Sequence, residues 1–237
     1  MTRIVNIGEA LIDEITRPNS EPVEVVGGSM LNVAAGLTRL GHESELATWF
    51  GRDARGNKVR AHAEAAGVTL TPGSDGADFT TVAHATLDER GRATYEFDLS
   101  WDVPAVEDPD SVGHVHTGSY AVVLEPGADK VLAAVKRQAI RGTVSYDPNI
   151  RPALLGTPDE ARPHIEAIVA LSDVVKASDE DLEWLYPGRP VEDVIRDWSQ
   201  SGPSLILCTR GPWGVYIKAA AERDMLVVDP LDVELVD

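Results

Sequence analysis

The sequence predicts an α/β fold in which a mostly parallel β-sheet is covered by helices on both faces. Two observations predict it. Short β-branched runs alternate with segments of helical period along most of the chain, and polar or glycine-rich turns separate them. Such alternation is typical of βαβ units, whose crossover helices bury both faces of the sheet and give a three-layer α/β/α sandwich.

The individual elements follow from these patterns. Strands are predicted at 3–7, 45–50, 114–117, 143–146, 173–176 and 205–208. Helices are predicted at 30–40, 57–66, 128–140, 158–171, 179–186 and 191–201. A further strand is expected from Val215 onward, after the glycine-bearing turn that follows Cys208.

One segment departs from the alternation. Two extended runs at 79–87 and 92–99 are separated by the polar turn at 88–91, a pattern that predicts a β-hairpin. Tyr95 and Phe97 lie two residues apart and therefore share one face of their strand. We expect one domain over 1–237 with a small β insertion at 75–102. Its apolar face would cap the core, cover a ligand as a lid, or pair with a second copy of the chain.

Composition and charge disfavour nucleic acids and membranes as binding partners. The 237 residues include 21 Lys and Arg against 39 Asp and Glu, a formal net charge of −18, and no basic stripe that would attract nucleic acid or anionic lipids. No apolar stretch approaches the ~20 residues of a bilayer span, so a soluble cytoplasmic protein is expected. The lone Cys208 lies in an apolar run, which favours a buried thiol over a reactive one.

The first half of the chain holds residues typical of a polyol site. The pair Gly27 and Gly28 leads into a predicted helix and lets ligand atoms approach bare backbone, although a tight turn with Ser29 as N-cap explains the same residues. Asn32, in the first turn of that helix, offers both a donor and an acceptor. Asp13 lies just past the first strand, at the end of a parallel sheet where ligands bind, and can accept two hydroxyls.

Loops in the second half carry groups suited to phosphate. Arg151 could clamp a phosphate and Asn149 could orient it, although an Asp-Pro turn with a surface arginine explains both. Ser178 and Asp181 have the spacing of a capping box, and with the neighbouring carboxylates they could instead hold Mg²⁺ through water. The glycine-bearing turn at 209–214 would admit phosphate oxygens to its amides.

In their order and spacing, these motifs resemble the ribokinase-like (PfkB) carbohydrate kinase family and look most like its fructokinases. The resemblance includes Gly-Glu-Ala-Leu-Ile-Asp at 8–13, Gly-Gly-x₃-Asn-x-Ala-x₂-Leu-x₂-Leu-Gly at 27–41 and Gly-x-Asp-x₂-Gly at 51–56. It continues with Asp-Pro-Asn-x-Arg at 147–151, Lys-Ala-Ser-Asp-Glu-Asp-Leu at 176–182 and Thr-Arg-Gly-x₂-Gly at 209–214. It implies a ribokinase-like fold and ATP-dependent phosphorylation of a sugar hydroxyl, assisted by Mg²⁺.

The resemblance also implies roles for particular residues. The sugar contacts would be Asp13, Gly27, Gly28 and Asn32, with Tyr95 and Phe97 on the lid. The nucleotide contacts would be Asn149, Lys176, Thr209, Gly211 and Gly214, with Arg151 on the phosphate side. Mg²⁺ and its waters would lie at Ser178 and Asp181, and a monovalent cation is a further candidate.

The family's most diagnostic motif, Asp-Thr-x-Gly-Ala-Gly-Asp, does not occur in the sequence. In the family it supplies the aspartate base and an anion hole at a helix N-terminus, and it should begin where the sequence stops, at Asp237. We therefore expect a C-terminally incomplete ribokinase-like chain without its catalytic base, and little kinase activity from the 237-residue polypeptide.

Other functions stay open at this point. A non-catalytic sugar-binding remnant, or a kinase of a keto-deoxy sugar acid or a nucleoside, would use the same frame. A Rossmann dehydrogenase is disfavoured because Gly8-Glu9-Ala10 stands where Gly-x-Gly-x-x-Gly is required. A metal hydrolase could use His114 and His116, but no third ligand has suitable spacing. The remaining histidines are expected at the surface, and they are His42, His62, His84 and His164.

Overall fold

The computed structural model describes residues 3–88, 93–106 and 109–230. The chain divides into two compact units, Met1–Thr143 and Val144–Asp237. Both units combine strands with helices, so the α/β class with mostly parallel strands is confirmed. The organisation as one domain with an insertion at 75–102 stays a prediction.

The first unit contains two sheets. Its strands are β1 (Arg3–Ile7), β2 (Leu11–Thr16), β3 (Val23–Gly27), β4 (Ser44–Ala47), β5 (Thr69–Leu70), β6 (Val82–Leu87), β7 (Ala93–Asp98) and β8 (Val112–Gly118). Strands β8, β1, β4 and β5 pair in that order, and all of these pairs are parallel. Strands β3, β2, β6 and β7 form a separate four-stranded sheet, in which only the β2–β6 pair is parallel.

The four-stranded sheet extends the predicted hairpin and corrects the position of Asp13. The runs predicted at 79–87 and 92–99 do pair, as β6 and β7, but β2 and β3 complete the sheet on the other side. Asp13 therefore lies inside β2 rather than just past the end of β1. The sequence conceals β2 because the pattern Leu-Ile-Asp-Glu-Ile-Thr does not alternate cleanly. Most of the predicted turn, at 89–91, lies outside the described residues.

Helices cover the strands of the first unit. They are α1 (Ser29–Arg39), α2 (Ala54–Ala65) and α3 (Gly127–Arg141), with 3₁₀ turns at Pro109–Ser111 and Ser119–Val122. The buried residues of α1 fall on one face and are Met30, Leu31, Ala34 and Ala35. Gly41, with φ +87°, follows the helix in the left-handed conformation that commonly stops a helix.

A hydrophobic core lies between α1, α2 and strands of both sheets. Its larger members are Ile12, Met30, Leu31, Leu46, Phe50, Val59, Val68 and Val82. Ile12 and Val82 belong to the four-stranded sheet, and Leu46 belongs to the parallel sheet. Because they share one core, the strand that carries Asp13 is held by hydrophobic packing against α1 and α2.

Two helix starts in the first unit differ in their capping. Asp53 precedes α2, and its carboxylate accepts from the N–H of Gly56 at 2.7 Å and from the N–H of Thr80 at 2.9 Å. Ser29, expected as the N-cap of α1, is instead the first helical residue, and Gly28 occupies the cap position without a side-chain bond. The Ser29 hydroxyl is used elsewhere, as a donor to Glu9.

The second unit places three parallel strand ends side by side. Its strands are β9 (Thr143–Asp147), β10 (Val174–Ser178), β11 (Leu205–Thr209), β12 (Val215–Ala219) and β13 (Leu226–Val228). Its helices are α4 (Pro152–Leu155), α5 (Pro158–Val169), α6 (Asp179–Leu185) and α7 (Val191–Trp198), with a 3₁₀ turn at Gly211–Trp213. Strands β9, β10 and β11 are parallel, and β12 and β13 follow antiparallel. None of the described helices is long and apolar enough to cross a bilayer.

Replacement of Leu31 by alanine tests the core of the first unit. Leu31 is fully buried in α1, so Leu31→Ala should lower the free energy of unfolding by ~2–5 kcal/mol in urea denaturation. Leu40 is the C-cap residue of the same helix and is 77% exposed, so the matched Leu40→Ala should stay within ~0.5 kcal/mol of the parent. Equal losses for the two variants would contradict this location of the core.

Candidate functional site

One face of the four-stranded sheet gathers a carboxylate and two aromatic rings. Asp13 on β2 is in register with Ala83 on β6, which is in register with Phe97 on β7, so Asp13 and Phe97 lie on the same face. Tyr95 shares that face and stacks on Phe97, with ring centroids 6.3 Å apart. Tyr95 is 53% exposed, so its ring is accessible to a ligand. A carboxylate beside aromatic rings suits a polyol that has an apolar side.

Gly27 and Gly28 bring Asp13 next to the start of α1. A Cβ built at Gly27 would overlap Oδ2 of Asp13, so only glycine lets the carboxylate lie over this backbone. Gly28 has φ +115°, and a Cβ there would lie 2.5 Å from the carbonyl oxygen of Glu9. In the first turn of α1, Asn32 is exposed, and its backbone N–H donates to the carbonyl of Gly28 at 3.0 Å. Asp13 thus lies against the glycine pair that precedes Asn32 at this helix start, whereas Tyr95 and Phe97 lie two strands away on β7.

Glu9 supports the same helix start, a role that its place in the sequence does not predict. Its side chain is buried, and Oε1 accepts hydrogen bonds from the backbone N–H of Ser29 at 3.2 Å and from the Ser29 hydroxyl. Burial raises the pKa of Glu9, while the bonds from Ser29 act in the opposite direction. No local sequence pattern predicts this role of Glu9, because Glu9 and Ser29 come into contact only in the folded chain.

His84 has charged partners that the sequence does not predict. It is expected at the surface, and its side chain is 30% exposed and lies between two carboxylates. Nδ1 is 2.8 Å from Oε1 of Glu14, and Nε2 is 3.2 Å from Oδ2 of Asp98. These carboxylates raise the pKa of His84, with the hydrogen bond to Glu14 as the largest cause.

In the second unit, Asn149, Arg151 and Lys176 surround the end of β9. Nζ of Lys176 is 3.2 Å from Oδ2 of Asp147, and the N–H of Asn149 donates to Oδ1 of the same carboxylate at 3.2 Å. Arg151 is exposed and donates to the carbonyl of Ile150 at 3.1 Å. Burial raises the pKa of Asp147, while Lys176 acts in the opposite direction. Two cations and an amide near one strand end suit an anionic ligand.

Ser178 and Asp181 form a capping box at the start of α6. The Ser178 hydroxyl accepts from the N–H of Asp181 at 3.0 Å, and Oδ2 of Asp181 accepts from the N–H of Ser178 at 2.8 Å. Oδ1 of Asp181 accepts from the N–H of Ile150 at 2.7 Å, so both carboxylate oxygens are already engaged by backbone. These residues do not fit Mg²⁺ as direct ligands, and their metal role stays a prediction.

Thr209 is the last residue of β11, and the turn between β11 and β12 carries Gly211 and Gly214. A Cβ built at Gly211 would meet no atom within 4 Å among the residues that the structure describes, so none of these covers the backbone at this position. Gly214, by contrast, has φ +79°, and a Cβ there would overlap the backbone of β13. The guanidinium of Arg210 lies 3.7 Å from the ring centroid of Tyr216, which holds this side chain along the base of the turn.

Two alternative chemistries gain no support from the structure. Cys208 is fully buried, and burial raises the pKa of its thiol to about 12, which disfavours a nucleophilic role. Nδ1 of His114 is 2.7 Å from Oγ1 of Thr143, consistent with a structural role at the strand end. Across 3–88, 93–106 and 109–230, no group of three or more His, Cys, Asp or Glu residues is placed to hold a metal ion.

Comparison with solved structures identifies the fold class. A fructokinase double mutant from Vibrio cholerae O395, described as the fructose, ADP and potassium ion bound form, superimposes with a TM-score of 0.82 at 24% sequence identity. The match covers 100% of this chain and 78% of that one. The fold is therefore that of the ribokinase-like fructokinase structures.

Comparison of sequences identifies the family. A model described as pfkB family carbohydrate kinase matches residues 1–237. Fructokinase from Rhizobium leguminosarum bv. trifolii is 29% identical over 224 residues, which cover 89% of this chain and 68% of that protein. Fructokinase from Klebsiella pneumoniae is 30% identical over 220 residues, which cover 88% and 71%. The chain belongs to the pfkB family of carbohydrate kinases.

The reactivity of Cys208 tests its burial directly, because the chain has one cysteine. A thiol with a pKa of about 12 is almost entirely protonated at pH 8, and the thiolate is the reactive form. An aromatic disulfide reagent should therefore label the native chain at least ~100-fold more slowly than the same chain in guanidinium chloride. Comparable rates in the two conditions would contradict the buried thiol.

Proposed function

We propose that the reaction this fold supports is transfer of the γ-phosphoryl group of ATP to a hydroxyl of fructose or a similar ketose, with low turnover expected from the 237-residue polypeptide itself, whose sequence has no Gly-Ala-Gly-Asp. The observation that carries the proposal is the sheet face on which Asp13 lies with Tyr95 and Phe97, next to the glycine pair at the start of α1. Membership of the pfkB family supports phosphoryl transfer to a sugar. The relatives named fructokinase support a ketose as the acceptor.

On the sugar side, Asp13 would accept hydrogen bonds from two hydroxyls, because an ionised carboxylate has acceptors only. Asn32, which is exposed in the first turn of α1, would add a donor and an acceptor. The rings of Tyr95 and Phe97 would cover the apolar side of the sugar. This cover would also exclude water, which competes with the sugar hydroxyl as the phosphoryl acceptor.

On the nucleotide side, Arg151, Asn149 and Lys176 would contact the phosphates of ATP, the second substrate. Phosphoryl transfer is catalysed mainly by positioning and by neutralisation of the charge on the transferred group. The turn with Thr209, Gly211 and Gly214 would add backbone amides to these contacts. The ADP in the Vibrio cholerae fructokinase form supports a nucleotide as a ligand of this fold.

The proposal also includes the cations that would accompany the two substrates. Mg²⁺ and a monovalent cation are expected from the family, and the potassium ion in the Vibrio cholerae form supports the latter. No step above depends on a metal ion, because Ser178 and Asp181 do not fit direct ligation.

Pairing of two copies through the lid is supported by the half-exposed Val23 and Val25, which share the face of Tyr95. A cytoplasmic location stays a prediction.

Replacement of Asp13 tests the sugar site. Asp13→Asn keeps the size of the side chain but removes the charge and one acceptor. Loss of charge-assisted hydrogen bonds should weaken fructose binding by at least ~10-fold in isothermal titration calorimetry and reduce the rise in melting temperature that fructose causes.

The exposed Asp78 provides the matched control, and Asp78→Asn should bind fructose like the parent. Titration with a keto-deoxy sugar acid and with a nucleoside tests the alternative acceptors, and tighter binding of either would replace fructose in the proposal. Unchanged fructose affinity in Asp13→Asn would refute the role of Asp13.

The turnover of the 237-residue polypeptide tests whether transfer requires the family's Gly-Ala-Gly-Asp motif. The sequence contains no Gly-Ala-Gly-Asp, so an ADP-release assay with fructose and ATP should give a rate far below the ~1–100 s⁻¹ of ordinary kinases. Fructose-dependent stabilisation without turnover or nucleotide binding would favour a sugar-binding protein. Turnover at an ordinary kinase rate would show that another group accepts the hydroxyl proton.

A further inference from the structure

Strand β2 presents two acidic side chains to opposite faces of the four-stranded sheet. Asp13 faces the aromatic rings, and its neighbour Glu14 faces the other way, toward the side on which α2 packs. Any force that holds Glu14 therefore also fixes the backbone that carries Asp13.

Both oxygens of the Glu14 carboxylate are held by cationic or ionisable groups from other elements. Oε2 accepts from Nη2 of Arg55 on α2 at 2.6 Å, and Oε1 is 2.8 Å from Nδ1 of His84 on β6. The side chains of Glu14, Arg55 and His84 are 21%, 33% and 30% exposed. This partial burial weakens screening by solvent and salt, so the contacts are stronger than those of fully exposed pairs.

The contacts extend across the whole sheet. Nε of Arg55 donates to Oε1 of Glu24 on β3 at 2.7 Å, and Nζ of Lys58 on α2 lies 2.7 Å from Oε2 of Glu24. Nε2 of His84 is 3.2 Å from Oδ2 of Asp98 on β7. We call these residues the Glu14 network, and it consists of Glu14, Glu24, Arg55, Lys58, His84 and Asp98. The network joins all four strands of the sheet, and α2, through one face.

One pair of residues in the Glu14 network is unfavourable by itself. Glu14 and Glu24 are directly opposite each other in the β2–β3 pair, and like charges at such positions destabilise a sheet. Arg55 offsets this repulsion by binding both carboxylates at once. Removal of Arg55 would therefore leave two repelling charges next to Asp13, rather than merely remove one surface ion pair.

We propose that Arg55 and His84 are positioning residues of the sugar site, which hold Glu14 on the back of the sheet and thereby fix Asp13 on the front. The inference rests on the proposed function for the role of Asp13. It needs no contact between the network and the sugar. The chemical class of ligand whose affinity it controls is a polyhydroxylated sugar bound on the Asp13 face.

The network also makes the sugar site sensitive to pH. The groups that face His84 are Glu14 on β2, Glu24 on β3, Glu96 and Asp98 on β7, and Arg55 and Lys58 on α2. The carboxylates nearest His84 raise its pKa above the ordinary value of 6.5. The stabilisation from the protonated imidazole is therefore fully present below pH 6.5, and it is lost as the pH rises through the folded-state pKa.

Two measurements on the intact chain test the inference. Amide hydrogen exchange at fixed pH should show faster exchange in β2 and β3 in Arg55→Gln, by roughly threefold or more, because local opening becomes easier. Calorimetric titration with fructose should show weaker binding in Arg55→Gln by roughly threefold or more. The parent should bind fructose more tightly near pH 6 than near pH 8.5, and His84→Gln should remove that dependence.

Matched variants separate this effect from a general loss of stability. Arg52 forms an exposed ion pair with Asp75 just before α2, and Arg52→Gln should leave both exchange and fructose affinity unchanged. His62 is exposed on α2, and His62→Gln should keep the pH dependence of the parent.

The results of these experiments test the inference and the proposed function separately. Unchanged exchange in β2 and β3 of Arg55→Gln would overturn the inference, as would parental fructose affinity in both network variants. If the parent chain does not bind fructose, fructose is refuted as the ligand. Faster exchange in Arg55→Gln would in that case still support the stabilisation of β2 by the Glu14 network.

Discussion

The alternation of side chains along β2 is the constraint on which the first unit depends. Ile12 and Glu14 point to the side of the core and α2, whereas Asp13 points to the aromatic rings. A slip of one residue would bury Asp13 and expose Ile12. Burial of Ile12 opposite Val82 on β6 therefore sets the register, and the position of the proposed sugar-binding carboxylate follows from hydrophobic packing.

In the second unit, parallel strands end side by side, and backbone N–H groups donate hydrogen bonds to the acidic side chains near these ends. Asp147 and Asp181 both follow this rule: each carboxylate accepts from the backbone of the loop after β9, at Asn149 and Ile150. The acidic residues thus order the loop, while Lys176 offsets the charge of Asp147. Arg151, which is exposed, is the cation of this loop that the proposed function assigns to the phosphates.

The sequence predicted the long, strongly periodic elements and the residues next to them. The helix that begins after Gly28 and the capping box of Ser178 and Asp181 depend on local spacing, and both are observed. Strand β2 was missed because each of its faces mixes apolar and charged residues, Ile12 with Glu14 on one face and Asp13 with Ile15 on the other, which hides the alternation. Glu9 and His84 were missed because their partners are distant in sequence.

The sequence by itself determined the α/β class, the family and the order of the polar loops, because these depend on periodicity and on motifs within a few residues. Only the tertiary structure decided which side chains share a surface. Asp13 and Phe97 lie far apart along the chain but share one sheet face on either side of β6, and Arg55 reaches Glu14 and Glu24 from a helix. Such contacts depend on strand register and helix packing, which are set by burial of the whole core rather than by any local pattern.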